Sequence, residues 1–162
     1  LFNETDLCQV GCTAKILHIL KQYEDGRMDI ITEGRQRFHV LEFLQRSTYL
    51  EGVIEFFDDD SSEDVPDDLL NKVLQVYQNM IRLHTRGVGA VKGIFDPAHF
   101  SFIIASTLEL DLPEKQTLLE LTSTTARIQK LDTALNYMVT QLEKQAEKER
   151  LAGMNGHGKH DN

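Results

Sequence analysis

The sequence predicts an α+β fold, a β subdomain followed by a helical bundle that ends in a long helix. Three observations predict it. β-forming residues dominate from Val10 to Phe57, a dense acidic run fills 58–68, and from Asp67 the apolar residues recur at helical spacing. Strands grouped ahead of helices, rather than alternating with them, mark α+β instead of α/β. The expected organisation is a β subdomain over 1–57, an acidic linker over 58–68, a helical subdomain over 69–152 and a disordered tail over 153–162.

Four strands are expected, over 13–23, 27–32, 36–44 and 49–57. The first two meet at Asp25-Gly26, the dipeptide favoured in a tight I′ hairpin because both central residues need positive φ. Gly34 follows soon after and predicts a bend or bulge. Polar alternation is weak: Ile16-Leu17 and Ile30-Ile31 put apolar groups on both faces. Strands of this kind predict a sheet covered on both sides, as in a curled or partly closed one.

The acidic run Asp58 to Asp68 lacks the central glycine of a calcium loop, so it reads as a solvated linker. Its last aspartates favour the start of a helix, where the dipole suits negative charge. Leu70, Val73, Leu74, Tyr77 and Ile81 share one face of that helix, which is expected to end near Gly87. The glycine-rich stretch 87–93 is a connector. Asp96 caps the next helix, with Pro97 at its first position and Phe100, Ile103, Ile104 and Leu108 along its buried stripe. Pro113 opens a short helix. Ile128, Leu131, Leu135, Met138 and Leu142 then form a coiled-coil-like seam on the last helix. Beyond Leu142 the helix turns charged, and the closing residues have no core-forming content.

Composition narrows the function classes. The 162 residues carry a formal charge of −9, which gives no global attraction for phosphate backbones. No apolar run has the length of a membrane span, and the first residues lack the basic start and apolar core of a secretory leader. Two cysteines, Cys8 and Cys12, suit a reducing, cytoplasmic setting. They also raise the question of a structural zinc, which needs two further ligands; His18 and His39 are the nearest. Buried thiols are the simpler reading.

Chemistry-bearing motifs are sparse. Gly87 to Gly93 has a lysine but no following Ser or Thr, and it follows a helix rather than a strand, so it fails as a phosphate loop. No Gly-x-Ser-x-Gly elbow and no His-Glu-x-x-His helix occur. His157 and His160 offer no preorganised metal site. The sequence therefore predicts no enzyme, no cofactor and no metal. Aromatic residues near the end of the β half suggest contact with other proteins instead: Tyr49, Phe56, Phe57 and, on the broad apolar helix face, Tyr77. Core packing is the competing role for each of them.

One resemblance joins these pieces. Val10-Gly11-x-Thr13-Ala14-x-Ile16, then Asp25-Gly26-Arg27, then Glu33-Gly34-x-x-Arg37-Phe38 resembles the amino-terminal domain of Lon proteases. Asp96-Pro97-x-x-Phe100, Leu110-x-Leu112-Pro113-x-Lys115-Gln116 and Arg127-x-x-x-Leu131 continue the resemblance through the helical half. It implies a PUA-like β subdomain, a helical bundle, and a role in recognising substrate proteins, expected here of a stand-alone domain protein or a fragment of one. Two departures stand out. Cys12 is inserted in the family's V-G-T pattern, and the Pro- and Leu-rich strand that opens the family domain is absent, so amino-terminal strands are expected to be missing from the sheet.

The function expected on this basis is non-catalytic recognition of unfolded or exposed apolar protein segments. The expected partners are client proteins and a protease or ATPase, without nucleic acid or membrane. Two alternatives compete: an RNA-binding PUA-like module, and a scaffold self-associating through the last helix. The acidic balance argues against RNA, and the 128–142 seam is short for a free coiled coil.

Overall fold

A computed structural model describes residues 7–45, 48–62, 64–84 and 96–156, with side chains to residue 152. The elements are β1 (Val10–Gln22), β2 (Met28–Leu44), β3 (Glu51–Phe57), α1 (Asp67–His84), α2 (Pro97–Thr107), α3 (Leu112–Glu120) and α4 (Thr124–Gly156). The order, strands first and helices after, is the α+β arrangement read from the pattern. The chain forms two compact units. One comprises 1–61 with 111–122, and the other 62–110 with 123–162. Helix α3 thus belongs with the sheet, whereas its sequence runs on with the other helices.

The sheet is antiparallel, in the order β1-β2-β3. The segments 27–32 and 36–44, expected as two strands, form one 17-residue strand. Gly34 does not end it, because the extra residue is absorbed as a bulge. Cys12 pairs with Arg37 and Ala14 with Gly34, so β2 carries one residue more than β1 between them. Thr13 holds the bulge: its hydroxyl donates to the Gln36 carbonyl at 3.2 Å and accepts from the Gln36 N–H at 3.1 Å.

The hairpin between β1 and β2 differs from the expected two-residue turn. Gly26 N–H donates to the Tyr23 carbonyl at 3.0 Å, and Tyr23 N–H donates to the Arg27 carbonyl at 2.9 Å. Glu24, Asp25 and Gly26 therefore make a three-residue loop, with Gly26 in the left-handed region at φ 86°. An Asp-Gly pair serves this loop as well as a I′ turn, because only the final position demands glycine. The Asp25 carboxylate closes the loop by accepting from Arg27 N–H and Nε.

Three strands leave both edges of the sheet open among the described residues, so the expected closure is not made by them. Burial is confined to one end. Val10 and Arg37 are buried, while every residue from Ala14 to Gln22 and from Met28 to Gln36 is exposed. Arg37 anchors the buried end. Its guanidinium pairs with Asp59, donates to the Leu119 and Leu121 carbonyls at 2.9 and 2.6 Å, and lies 4.5 Å from the Phe57 ring centre. Gln116 of α3 donates to the Val10 carbonyl at 3.0 Å. Asp111 and Glu114 start α3 with a reciprocal capping box.

In the helical unit, α1 packs along α4. Val73, Tyr77 and Met80 of α1 are buried, as are Ile128, Leu131, Leu135 and Val139 of α4. The predicted seam drifts at its end: Val139, not Met138, is the buried residue of that turn. A straight 3.6-residue helix gives this drift relative to a strict heptad. Because α1 occupies the seam within the unit, the self-associating scaffold loses the surface proposed for it. Asp96 caps α2, accepting from the His99 N–H at 2.8 Å, with Pro97 in the first turn as read from sequence. Phe100 meets Tyr77 edge to face at 5.8 Å. Arg127 is fully buried, donating through Nε to the Ser101 hydroxyl at 2.7 Å.

The expected helix end at Gly87 and the 87–93 connector lie outside the described residues. Helix α4 extends to Gly156, into the stretch read as tail. The histidines at 157 and 160 lie outside the described residues.

Candidate protein-binding surface

The exposed arm of β1 and β2 carries aliphatic residues where a solvated hairpin would carry polar ones. Ile19 and Ile30 face each other across the strands and are 57% and 42% exposed. Ile16, Leu17, Leu20 and Ile31 are exposed beside them. Scattered apolar residues on a surface are ordinary, but a contiguous set is a mark of interaction.

Register explains how both faces become apolar. Ile16 pairs with Thr32 and His18 with Ile31, so Leu17 is an extra residue in β1; the step from Ile19 to Lys21 makes Leu20 a second. Leu41 is likewise extra in β2 opposite β3. Each bulge re-aims the side chains that follow it. Leu20 and Leu41 are among the most exposed apolar residues of the sheet, at 66% and 62%. The apolar doublets in the sequence were the available signal for this surface; the bulges that expose it are invisible there.

The aromatic candidates divide. Tyr49 and Phe56 are exposed on the sheet unit, and Phe56 meets Phe38 edge to face at 6.5 Å. Phe57 is half-buried, stacked on His39 at 4.3 Å and lying beside Arg37. Tyr77 is buried in the helical unit, where it packs on Phe100 as a core residue. A binding role for Tyr77 would require that core to open.

At the arm's tip the Tyr23 hydroxyl donates to Asp29 at 2.8 Å, and this bond to the carboxylate raises the phenol above its ordinary pKa. Lys21 lies over the same ring at 4.3 Å. Cys8 and Cys12 are free thiols, and the Cys12 thiol donates to the Thr13 carbonyl. Among the described residues, no three His, Cys, Asp or Glu side chains gather into a metal-binding set, and no helix is long and apolar enough to cross a membrane.

The family model for the substrate-binding domain of the ATP-dependent protease La (LON) matches residues 3–136. The chain belongs to the Lon substrate-binding domain family. Lon protease from Anaeromyxobacter dehalogenans is 32% identical over 140 residues, which is 81% of this chain and 16% of that protein. Lon protease from Halothermothrix orenii is 33% identical over 136 residues, 78% of this chain and 17% of that protein. The chain thus spans about a sixth of the length of these relatives.

Solved structures share the fold. The Lon N-terminal domain protein from Xanthomonas campestris aligns with TM-score 0.57 at 17% identity, covering 80% of this chain and 70% of that one. The N-terminal domain of Mycobacterium avium complex Lon protease aligns with TM-score 0.60 at 16% identity, covering 79% and 70%. The match is to a substrate-binding domain, which makes this chain a substrate-recognition module.

Proposed function

We propose that this Lon substrate-binding domain recognises unfolded or exposed apolar segments of proteins through its sheet, without catalysis of its own. The observation that carries the reading is the exposed Ile19–Ile30 pair with its aliphatic neighbours on the arm formed by β1 and β2. An extended polypeptide suits such a surface in two ways. Its backbone satisfies the outward N–H and C=O groups of an edge strand, and its apolar side chains cover the aliphatic ones. Recognition of this kind needs no cofactor. Tyr49 and Phe56 extend the surface on the same unit.

The partners in this reading are client proteins, and the protease and ATPase activities of Lon act on what the domain holds. The setting is the cytoplasm, in keeping with the free thiols. Fluorescence anisotropy of a labelled, permanently unfolded polypeptide tests the proposal. Saturable binding that a folded, polar control protein does not compete away supports it. A flat titration into high micromolar domain contradicts it.

A further inference from the structure

Helix α4 has two unlike faces. One packs on α1 and buries Ile128, Leu131, Leu135 and Val139. On the other side, Lys130, Tyr137, Lys144, Lys148 and Leu151 fall within about 40° of one line at 3.6 residues per turn. All five are exposed. The line is about 32 Å long at the helical rise. Among the described residues, the exposed large apolar side chains of the helical unit are Tyr137, at 68%, and Leu151, at 49%, and both stand on this line.

Charge is sorted around the same helix. Its acidic residues, Asp132, Glu143, Glu147 and Glu149, lie about 80° or more from the line. Asp132 pairs with Lys72, and Glu147 with Arg150. Lys130, Lys144 and Lys148 make no ion pair among the described residues. Lys144 and Lys148 are four positions apart, a like-charge spacing that weakens a helix, where a Glu at either position would strengthen it. A chain of net charge −9 thus keeps one acid-free, cationic face, with an aromatic and an aliphatic residue set among the lysines. Exposed aromatic residues serve as binding anchors, and the charges around them select the partner.

We propose that this face of α4 docks an acidic amphipathic helix of another protein. Apolar residues of that helix cover Tyr137 and Leu151, and its Asp and Glu side chains pair with Lys130, Lys144 and Lys148. A straight line of this length matches a second helix, on which residues 14 apart return to the same side and reach both anchors together. Charge excludes the same face of a second copy, since lysine would meet lysine. The contact lies on the helical unit and is independent of the sheet surface proposed for client segments.

Three labelled helical peptides test it on the full 162-residue chain. They share length and two Leu residues 14 apart, and carry Glu, Gln or Lys at the flanking positions. The Glu peptide binds tightest and the Lys peptide weakest, with steps of about 3- to 10-fold that shrink at high salt. Tyr137→Ala weakens the Glu peptide by about tenfold, the loss of one anchor. The double variant Lys144→Glu with Lys148→Glu, checked for an unchanged thermal transition, reverses the order. Lys15→Glu with Lys21→Glu on β1 makes the same change in net charge and leaves the order as it was. Equal affinity of the three peptides, an order that follows the β1 variant, or a Glu peptide that does not bind at high micromolar chain overturns the proposal. Competition of the Glu peptide by a single-stranded RNA oligomer assigns the face to phosphate and overturns it as well. So does a concentration-dependent oligomer in sedimentation that the Lys144→Glu, Lys148→Glu variant abolishes, because the face then holds an acidic surface of a second copy. None of these outcomes bears on binding of an unfolded polypeptide by the sheet.

Discussion

Arg37 donates to the carbonyl oxygen of Leu121, 84 positions later in the chain, at 2.6 Å. Together with the Asp59 pair, this bond ties β2, the residues after β3 and the end of α3 to one guanidinium. Its side chain is only 8% exposed and that of Asp59 14%. Removing one partner of a buried ion pair costs about 3–5 kcal/mol, because the other charge stays desolvated. Arg37→Ala is expected to lower the urea midpoint of the sheet unit by a loss of this size. Arg37→Lys is expected to recover only part of it, since an ammonium does not reproduce the planar fork that reaches three acceptors.

Gly11 is required by the ring of Phe38. The two residues face each other across β1 and β2, and a Cβ at position 11 would lie 2.5 Å from Phe38 Cζ. Gly11→Ala must push the ring aside, at a cost of about 1–3 kcal/mol for overpacking. The double variant with Phe38→Leu is expected to regain part of that loss in thermal melts, since the shorter side chain vacates the space. Additive losses would mean that the ring is not what position 11 accommodates.

The arm from Ala14 to Gln36 is a two-stranded ribbon without burial at its far end. Two strands alone are marginal in water. Amides of the arm are expected to exchange with deuterium well before those of α1 and α4, whose facing residues are fully buried at Val73, Ile128 and Leu131. Adding a bound unfolded polypeptide is expected to slow exchange in the arm and in β3 and to leave α4 unchanged. Hydrogen-exchange mass spectrometry reads both.

Much of the fold was legible because it depends on local chemistry. Asp96-Pro97 marks a helix start through capping and a preset φ, and the structure places α2 there. Asp25-Gly26 marks a hairpin for an equally local reason, although the dipeptide does not determine whether the loop has two or three residues. What was not legible is relational. Pro113 marks the start of α3, but nothing in its own residues shows that its partner is the sheet. Leu17, Leu20 and Leu41 look like ordinary strand residues, and only the pairing with the neighbouring strand shows them to be extra. Tyr77 shares its helical face with core residues, so burial, not sequence, separates it from the exposed Phe56.

The central claim is that the exposed aliphatic residues of the sheet hold apolar polypeptide. Its most direct test is the dissociation constant of one labelled unfolded polypeptide for the natural chain and for the variant Ile19→Thr with Ile30→Thr. Threonine keeps β propensity, and both positions are solvent-exposed, so the fold is expected to hold. Two such side chains, if covered in the complex, contribute about 1.5–3 kcal/mol each, so binding is predicted to weaken by at least tenfold. An unchanged dissociation constant, with the thermal transition intact, would contradict the account.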